Sequence, residues 1–263
     1  MSHPIRLVAS DLDGTLLGDG GAVSARTRRA VEAVAAAGIH VVAATGRSQW
    51  TAHPLIEPVT GIELVVCSNG ASLYDVRQGV SLAEYPIADP VIDAILTGLA
   101  ERFPGCLYGW ETSADLFYDG GFVDYRPALD RLPSPDLAVG PRPAPIRKLM
   151  IAHRDVQHYA LLDVLTPLLP AGCQASTSGA PFVEVTGDGV HKAFGLQQVC
   201  ARLGVAPEQV VAFGDNHNDL AMLQWAGRGV AMANAQPVVL EAVTEVTASH
   251  LDDGVAAVLE TLL

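Results

Sequence analysis

Short apolar runs recur along the chain, separated by stretches with helical spacing of their apolar residues. The first run, residues 5–9, leads straight into Asp11-Leu12-Asp13-Gly14-Thr15-Leu16-Leu17. After a turn at Gly18-Asp19-Gly20-Gly21, Ser24 is placed to cap a helix whose Ala30, Val31 and Val34 share one face. Gly38 ends that helix. Residues 39–43 read as a second buried strand running into Thr45-Gly46-Arg47, and 63–67 as a third running into Ser68-Asn69-Gly70-Ala71. Near-continuous apolar strands alternating with helices predict a parallel sheet covered on both faces.

The pattern then changes. Residues 72–75 and 80–86 read as a hairpin, 90–103 as a helix, and 106–110 and 116–119 as paired strands. Residues 120–145 are rich in Pro and Gly and take no assignment; 146–152 reads as a strand, 155–169 as a helix, and 173–177 and 182–186 as strands. Strands grouped in hairpins with two helices between them predict a separate α+β unit. The earlier rhythm returns with a helix over 191–203 and a strand over 210–213 that ends in Gly214-Asp215-Asn216-His217-Asn218-Asp219. A helix through Met222 and Leu223, a strand over 229–232 and helices over 234–243 and 254–262 complete the chain. The expected architecture is α/β: a doubly wound parallel-sheet (Rossmann-like) core from residues 1–81 and 182–263, interrupted by an inserted α+β cap domain over 82–181.

Charge narrows the partners. With 16 Lys and Arg against 29 Asp and Glu, the net charge is −13, which argues against nucleic acid and anionic membrane surfaces. An acidic protein that handles phosphate needs local cations at its site. The 4 cysteines are scattered with no CxxC pair, as expected of free thiols in a reducing compartment. The opening residues lack a basic segment followed by an apolar core, and no apolar run is long enough to span a bilayer. The expectation is a cytoplasmic protein, a monomer or homodimer; the small phosphorylated metabolite expected as its partner rests on the motifs below.

In open α/β sheets, ligands sit outside the carboxyl ends of the strands, where the Asp11, Thr45 and Asp215 loops would all lie. Two carboxylates two residues apart repel and raise one another's pKa unless a cation or shared proton compensates. A bare Asp-x-Asp is more often an acidic turn, but the other loops supply the missing partners. Asp215 could complete a cation site with a carboxylate oxygen of Asp11 and the carbonyl of Asp13, an all-oxygen set that suits Mg²⁺. The Thr45 hydroxyl and Gly46 amide could bond phosphoryl oxygens, and Lys192 could supply a fixed positive charge. Each residue also has a plainer reading. Thr45, Asn218 and Asp219 could cap local turns or helices, Asn69 could be a turn residue, and Lys192 and Arg47 could be solvated charges. The histidines lack ligand spacing, and the aromatic residues Tyr108, Trp110, Phe117 and Tyr118 read as packing.

Taken together, DLDGTLL, Thr45-Gly46-Arg47, SNGA, the GVHK stretch ending at Lys192, GDNHNDLAML and VAMANA resemble the haloacid dehalogenase-like (HAD) phosphatases. More narrowly, they resemble the Cof-type branch. The resemblance implies a Mg²⁺-dependent phosphomonoesterase working through an aspartyl-phosphate. Asp11 would be the nucleophile and Asp13 the general acid and base. Asp11, Asp13 and Asp215 would hold the metal, while Thr45, Gly46, Lys192 and Asn218 would bind phosphate. Asp219 would support the metal and phosphate shell, and Arg47 and Asn69 are candidate substrate contacts. Ala193 stands where the family often has Gly. Family analogy favours sugar phosphates. The rival readings are a phosphomannomutase-like phosphotransferase, whose fourth motif usually carries a glycine-rich insertion absent from GDNHND, and a non-catalytic phosphometabolite sensor, which would not require both Asp11 and Asp13. A phospho-receiver domain is about half this length and lacks a cap.

Overall fold

In the computed structural model, which describes residues 4–124, 138–139 and 145–263, the chain forms two compact units. One comprises Met1–Ala83 and His191–Leu263, the other Glu84–Val190. The first unit opens with β1 (Leu7–Ser10), α1 (Ala25–Ala36), β2 (His40–Ala44), α2 (Gln49–Ile56), β3 (Ile62–Cys67), β4 (Ser72–Asp75) and β5 (Val80–Glu84). As expected, Ser24 caps α1: its hydroxyl accepts from Thr27 N at 3.0 Å.

The second unit follows with α3 (Asp89–Arg102), β6 (Cys106–Glu111), β7 (Leu116–Tyr118), α4 (Gly120–Asp124), β8 (Ala138–Val139), β9 (Lys148–His153), α5 (His158–Leu165), β10 (Cys173–Ser176) and β11 (Val183–Gly187). Its sheet runs β10-β11-β9-β6-β7-β8. Ile92, Ile95 and Leu99 of α3 and Leu161, Leu162 and Leu165 of α5 pack with Trp110, Leu149, Ile151, Val183 and Val185 of the strands. The predicted helix over 155–169 is shorter: α5 gives way to a 3₁₀ turn at Thr166–Leu168. Pro167 has no N–H with which to continue the α-helical ladder. The Pro- and Gly-rich stretch left unassigned, 120–145, falls mostly outside the described residues.

The chain returns to the first unit with α6 (Lys192–Leu203), β12 (Val210–Gly214), α7 (Leu220–Trp225), β13 (Arg228–Met232), α8 (Pro237–Ala242), β14 (Glu245–Thr247) and α9 (Gly254–Leu259). Its sheet order is β14-β13-β12-β1-β2-β3-β4-β5. The pairs from β14 through β3 are parallel, and β3 pairs antiparallel with β4. Successive side chains along a strand face opposite ways, so Leu7 and Ala9 join the layer of α6 and α7 while Val8 joins that of α1 and α9. Both faces of the sheet are thereby buried, as the apolar runs required. β14 had no sequence signal; it is three residues long and lies at the sheet's edge.

The unit boundary differs from the sequence expectation at its second crossing. Residues 182–186 carry the apolar texture of a core strand, yet β11 pairs antiparallel with both β10 and β9. The second unit therefore runs on to Val190 rather than ending at residue 181. It also holds a buried ion cluster with no sequence signal. Arg147 and Lys148 reach Glu111 at 3.2 Å each, Arg147 reaches Glu84 at 3.3 Å, and Lys148 reaches Glu184 at 3.0 Å. None of the four cysteines forms a disulfide, and no helix among the described residues is long and apolar enough to cross a membrane.

Candidate active site

The neighbouring parallel strands β12, β1, β2 and β3 deliver four loops to one edge of the sheet, at their carboxyl ends. Asp11 leaves β1 with its amide donating to Phe213 O at 3.0 Å, which registers it against the end of β12. Gly14 turns the loop at φ 78°, and a Cβ there would stand 2.5 Å from Asp215 Oδ2. Only glycine accepts both the dihedral and that approach. Thr15 Oγ1 then donates to Asp215 Oδ1 at 3.0 Å, and Asn234 Nδ2 donates to Gly14 O at 2.8 Å.

Lys192 is the first residue of α6, where the helix dipole disfavours a cation. Two carboxylates hold it there: its fully buried Nζ donates to Asp11 Oδ1 and to Asp219 Oδ1, both at 2.6 Å. The other oxygen of Asp219 accepts from the amides of Asp215 and Asn216 at 3.0 and 2.9 Å. His191, given no chemistry by the sequence, is the N-cap of α6; its Nδ1 accepts from Phe194 N at 3.1 Å.

Burial dominates the electrostatics. It pushes the Asp11 carboxyl well above the usual range; Lys192 opposes this and the nearby carboxylates reinforce it. Burial also works against the Lys192 charge, but Asp11 and Asp219 outweigh it and the ammonium stays protonated. Asp215 is pushed up to about 7, first by burial and then by the charge of Asp219, with the Thr15 hydrogen bond acting the other way. Oxygens of Asp11, Asp215 and Asp219 lie within 4.8 Å of one another. The donor set is all carboxylate, and Asp215 is a buried acid with no cation of its own to pair with. Both features fit a hard divalent cation. Asp219 is already committed to Lys192 and two amides, which leaves Asp11 and Asp215 as the side chains suited to ligate one.

The remaining expected residues fall into two linked groups. Thr45 and Gly46 are buried at the end of β2. The Thr45 hydroxyl accepts from Arg47 N at 3.1 Å, so it caps its own turn. The Arg47 guanidinium is engaged by Asp13 rather than left open: Nε and Nη2 donate to the two carboxylate oxygens at 2.6 Å each. Burial disfavours that charge, but the Asp13 hydrogen bonds raise the Arg47 pKa overall. Asn69 meets Asn218, whose Nδ2 donates to Asn69 Oδ1 at 2.9 Å. Thr15 and Asn234 went unassigned by sequence reasoning. Both lie inside quoted motifs, DLDGTLL and VAMANA, and motif membership was the signal available for them.

This fold and loop set define a class. The haloacid dehalogenase-like hydrolase family matches residues 8–259. The chain is 29% identical over 253 residues to 5-amino-6-(5-phospho-D-ribitylamino)uracil phosphatase YcsE of Bacillus subtilis, covering 96% of this chain and 93% of that protein. BT1666 of Bacteroides thetaiotaomicron, a phosphatase of the HAD superfamily, superposes with a TM-score of 0.85 at 26% identity, covering 99% of this chain and 96% of that one. The HAD subclass IIB sugar phosphatase BT4131 shares the fold, with a TM-score of 0.83 at 20% identity over 98% of this chain and 100% of that one. The chain belongs to the haloacid dehalogenase-like hydrolases. Within them it is a phosphatase.

Proposed function

We propose that this enzyme hydrolyses small phosphate monoesters with Mg²⁺ through a phosphoaspartate on Asp11. The Asp11 carboxylate attacks phosphorus in line, and the ester oxygen leaves with a proton from Asp13. Asp13 then takes a proton from the water that attacks the acyl phosphate, which releases orthophosphate and restores Asp11. Lys192 holds the nucleophile in place and neutralises phosphoryl charge. The Thr45 hydroxyl, the Gly46 amide and the Asn218 amide bind phosphoryl oxygens. Asp11, Asp215 and the carbonyl of Asp13 would hold the magnesium ion, with Asp219 supporting that shell. Bound there, the ion supplies charge neutralisation and orients the phosphoryl group. Arg47 holds the carboxylate of Asp13 in a bidentate grip and so acts on the acid–base group rather than on substrate directly.

The second unit serves as a cap that excludes water and selects the leaving group. Sugar phosphates are the leading substrate class, a reading supported by the relatives that act on a ribityl phosphate and on sugar phosphates. The setting in this reading is cytoplasmic, and the enzyme a monomer or homodimer.

The observation that carries this reading is the Lys192 ammonium shared between Asp11 and Asp219 at 2.6 Å. The test is Asp11→Asn assayed with p-nitrophenyl phosphate. Turnover should vanish while the circular dichroism spectrum stays native; substantial remaining turnover would refute the nucleophile assignment.

A further inference from the structure

The loop leaving β3 is held in a conformation its side chains disfavour. Ser68 and Asn69 have φ of 53° and 55°; with Asp253 they are the only non-glycine residues in the left-handed region among the described residues. Gly70 follows at φ 101°, where a Cβ would collide with His191 O at 2.2 Å. Such conformations persist where the surroundings over-determine them, often at ligand sites. Here the amide of Ser68 donates to Arg47 O at 2.8 Å and that of Asn69 to Thr45 O at 3.0 Å, so the neighbouring loop imposes the shape.

The outcome is a buried pair of side-chain amides. Asn69 is 3% exposed and Asn218 8%. One hydrogen bond joins them, from Asn218 Nδ2 to Asn69 Oδ1 at 2.9 Å. Asn69 Nδ2 and Asn218 Oδ1 have no partner. Turning both amides around gives the same balance: one nitrogen donor and one oxygen acceptor stay unmet. Buried polar groups are rarely left so, and each carries a penalty that a ligand could remove. An anionic phosphoryl oxygen would satisfy the donor alone, and a cation the acceptor alone. A hydroxyl group satisfies both at once.

We propose that Asn69, through its pair with Asn218, is a specificity-determining residue that binds a hydroxyl group on the alcohol portion of the substrate. This rests on the phosphatase reading above and adds a discrimination that reading does not contain. A site built to hydrogen-bond a hydroxyl rejects the analogue lacking it, because its own polar groups then stay unpaired.

The test compares kcat/KM for phosphate release from glycerol 3-phosphate and from propyl phosphate, which differ in hydroxyl groups. The wild-type enzyme should favour glycerol 3-phosphate by about tenfold or more, as loss of a buried hydrogen-bonding partner typically costs. Asn69→Gly suits φ 55° but gives up the bond from Asn218; it should keep a native circular dichroism spectrum while cutting that ratio about tenfold. Asn69→Asp keeps an acceptor for Asn218 but has no donor, and should also lose the preference. A wild-type ratio near one, or a ratio that either variant leaves unchanged, overturns the assignment. So does an equal loss on both substrates, which would mean that Asn69 only positions Asn218 on the phosphoryl group. If no monoester, p-nitrophenyl phosphate included, releases phosphate, the phosphatase reading fails and this inference fails with it.

Discussion

Replacing Asp215 with Asn should stabilise the metal-free protein and remove its response to metal. The Asn side chain is isosteric, its oxygen can still accept from Thr15 Oγ1, and the backbone carbonyl of residue 215 still receives Gln236 N at 2.8 Å. What disappears is an ionisable group whose pKa rises from 3.8 to about 7 on folding. A carboxyl raised in the folded state contributes stability fully present below its unfolded pKa, and that stability is lost as pH rises through the folded pKa. At about 1.4 kcal/mol per pKa unit, the wild type should lose about 3 kcal/mol between about pH 5 and about pH 8 relative to Asp215→Asn. Asp11 is raised partly by Asp215, so removing that charge shifts the balance in the same direction. The measurement is urea denaturation in chelator at both pH values. The gap between the two proteins should widen toward alkaline pH, and added Mg²⁺ should close it by stabilising the wild type alone. Parallel pH dependence in the two proteins, or equal stabilisation of both by Mg²⁺, would refute the argument.

Asp13→Ala should cost about 10²-fold or more in kcat, as loss of a general acid–base does, most plainly for substrates with poor leaving groups; a series of aryl and alkyl phosphates checks this. Gly14→Ala places a Cβ 2.5 Å from Asp215 Oδ2 at φ 78°, so it should lower the melting temperature and weaken activation by Mg²⁺ in a titration. Arg147→Met leaves the buried Glu111 short of a cation in the second unit and should destabilise by about 3–5 kcal/mol in urea unfolding. A change below about 1 kcal/mol would mean that Lys148 alone suffices to compensate that carboxylate.

The core was legible because its physics is local. Runs such as Leu7–Ser10 and Val210–Gly214 must be buried on both faces, and only a parallel sheet between helix layers does that. Loop motifs at strand ends were legible for the same reason, since the ends of β12, β1, β2 and β3 necessarily share an edge. Pairings across the sequence were not. Nothing local tells β11 to pair with β9 and β10 instead of joining the core, because its Val183 and Val185 suit either sheet. Arg47 read as an open cation because its spacing gives no sign that Asp13, 34 positions earlier, meets it twice. The ion cluster at Arg147 and Lys148 was hidden likewise: its carboxylates come from residues 84, 111 and 184.

The charges at the sheet edge explain why local rules break there. Asp11, Asp13, Asp215 and Asp219 bring four negative charges, and Lys192 and Arg47 return two positive ones. The formal remainder is two negative charges, which one divalent cation would cancel. Without such an ion the imbalance is carried as raised carboxyl pKa values on Asp11 and Asp215, since burial and like charge both favour the protonated form. Lys192 stays at a helix N-terminus that disfavours its charge because the two buried acids it pairs with, Asp11 and Asp219, cannot do without it. A core chosen for stability alone would place apolar side chains at the buried positions of Asp11, Asp215 and Asp219; four acids set against one lysine and one arginine fit a site that takes up a further cation.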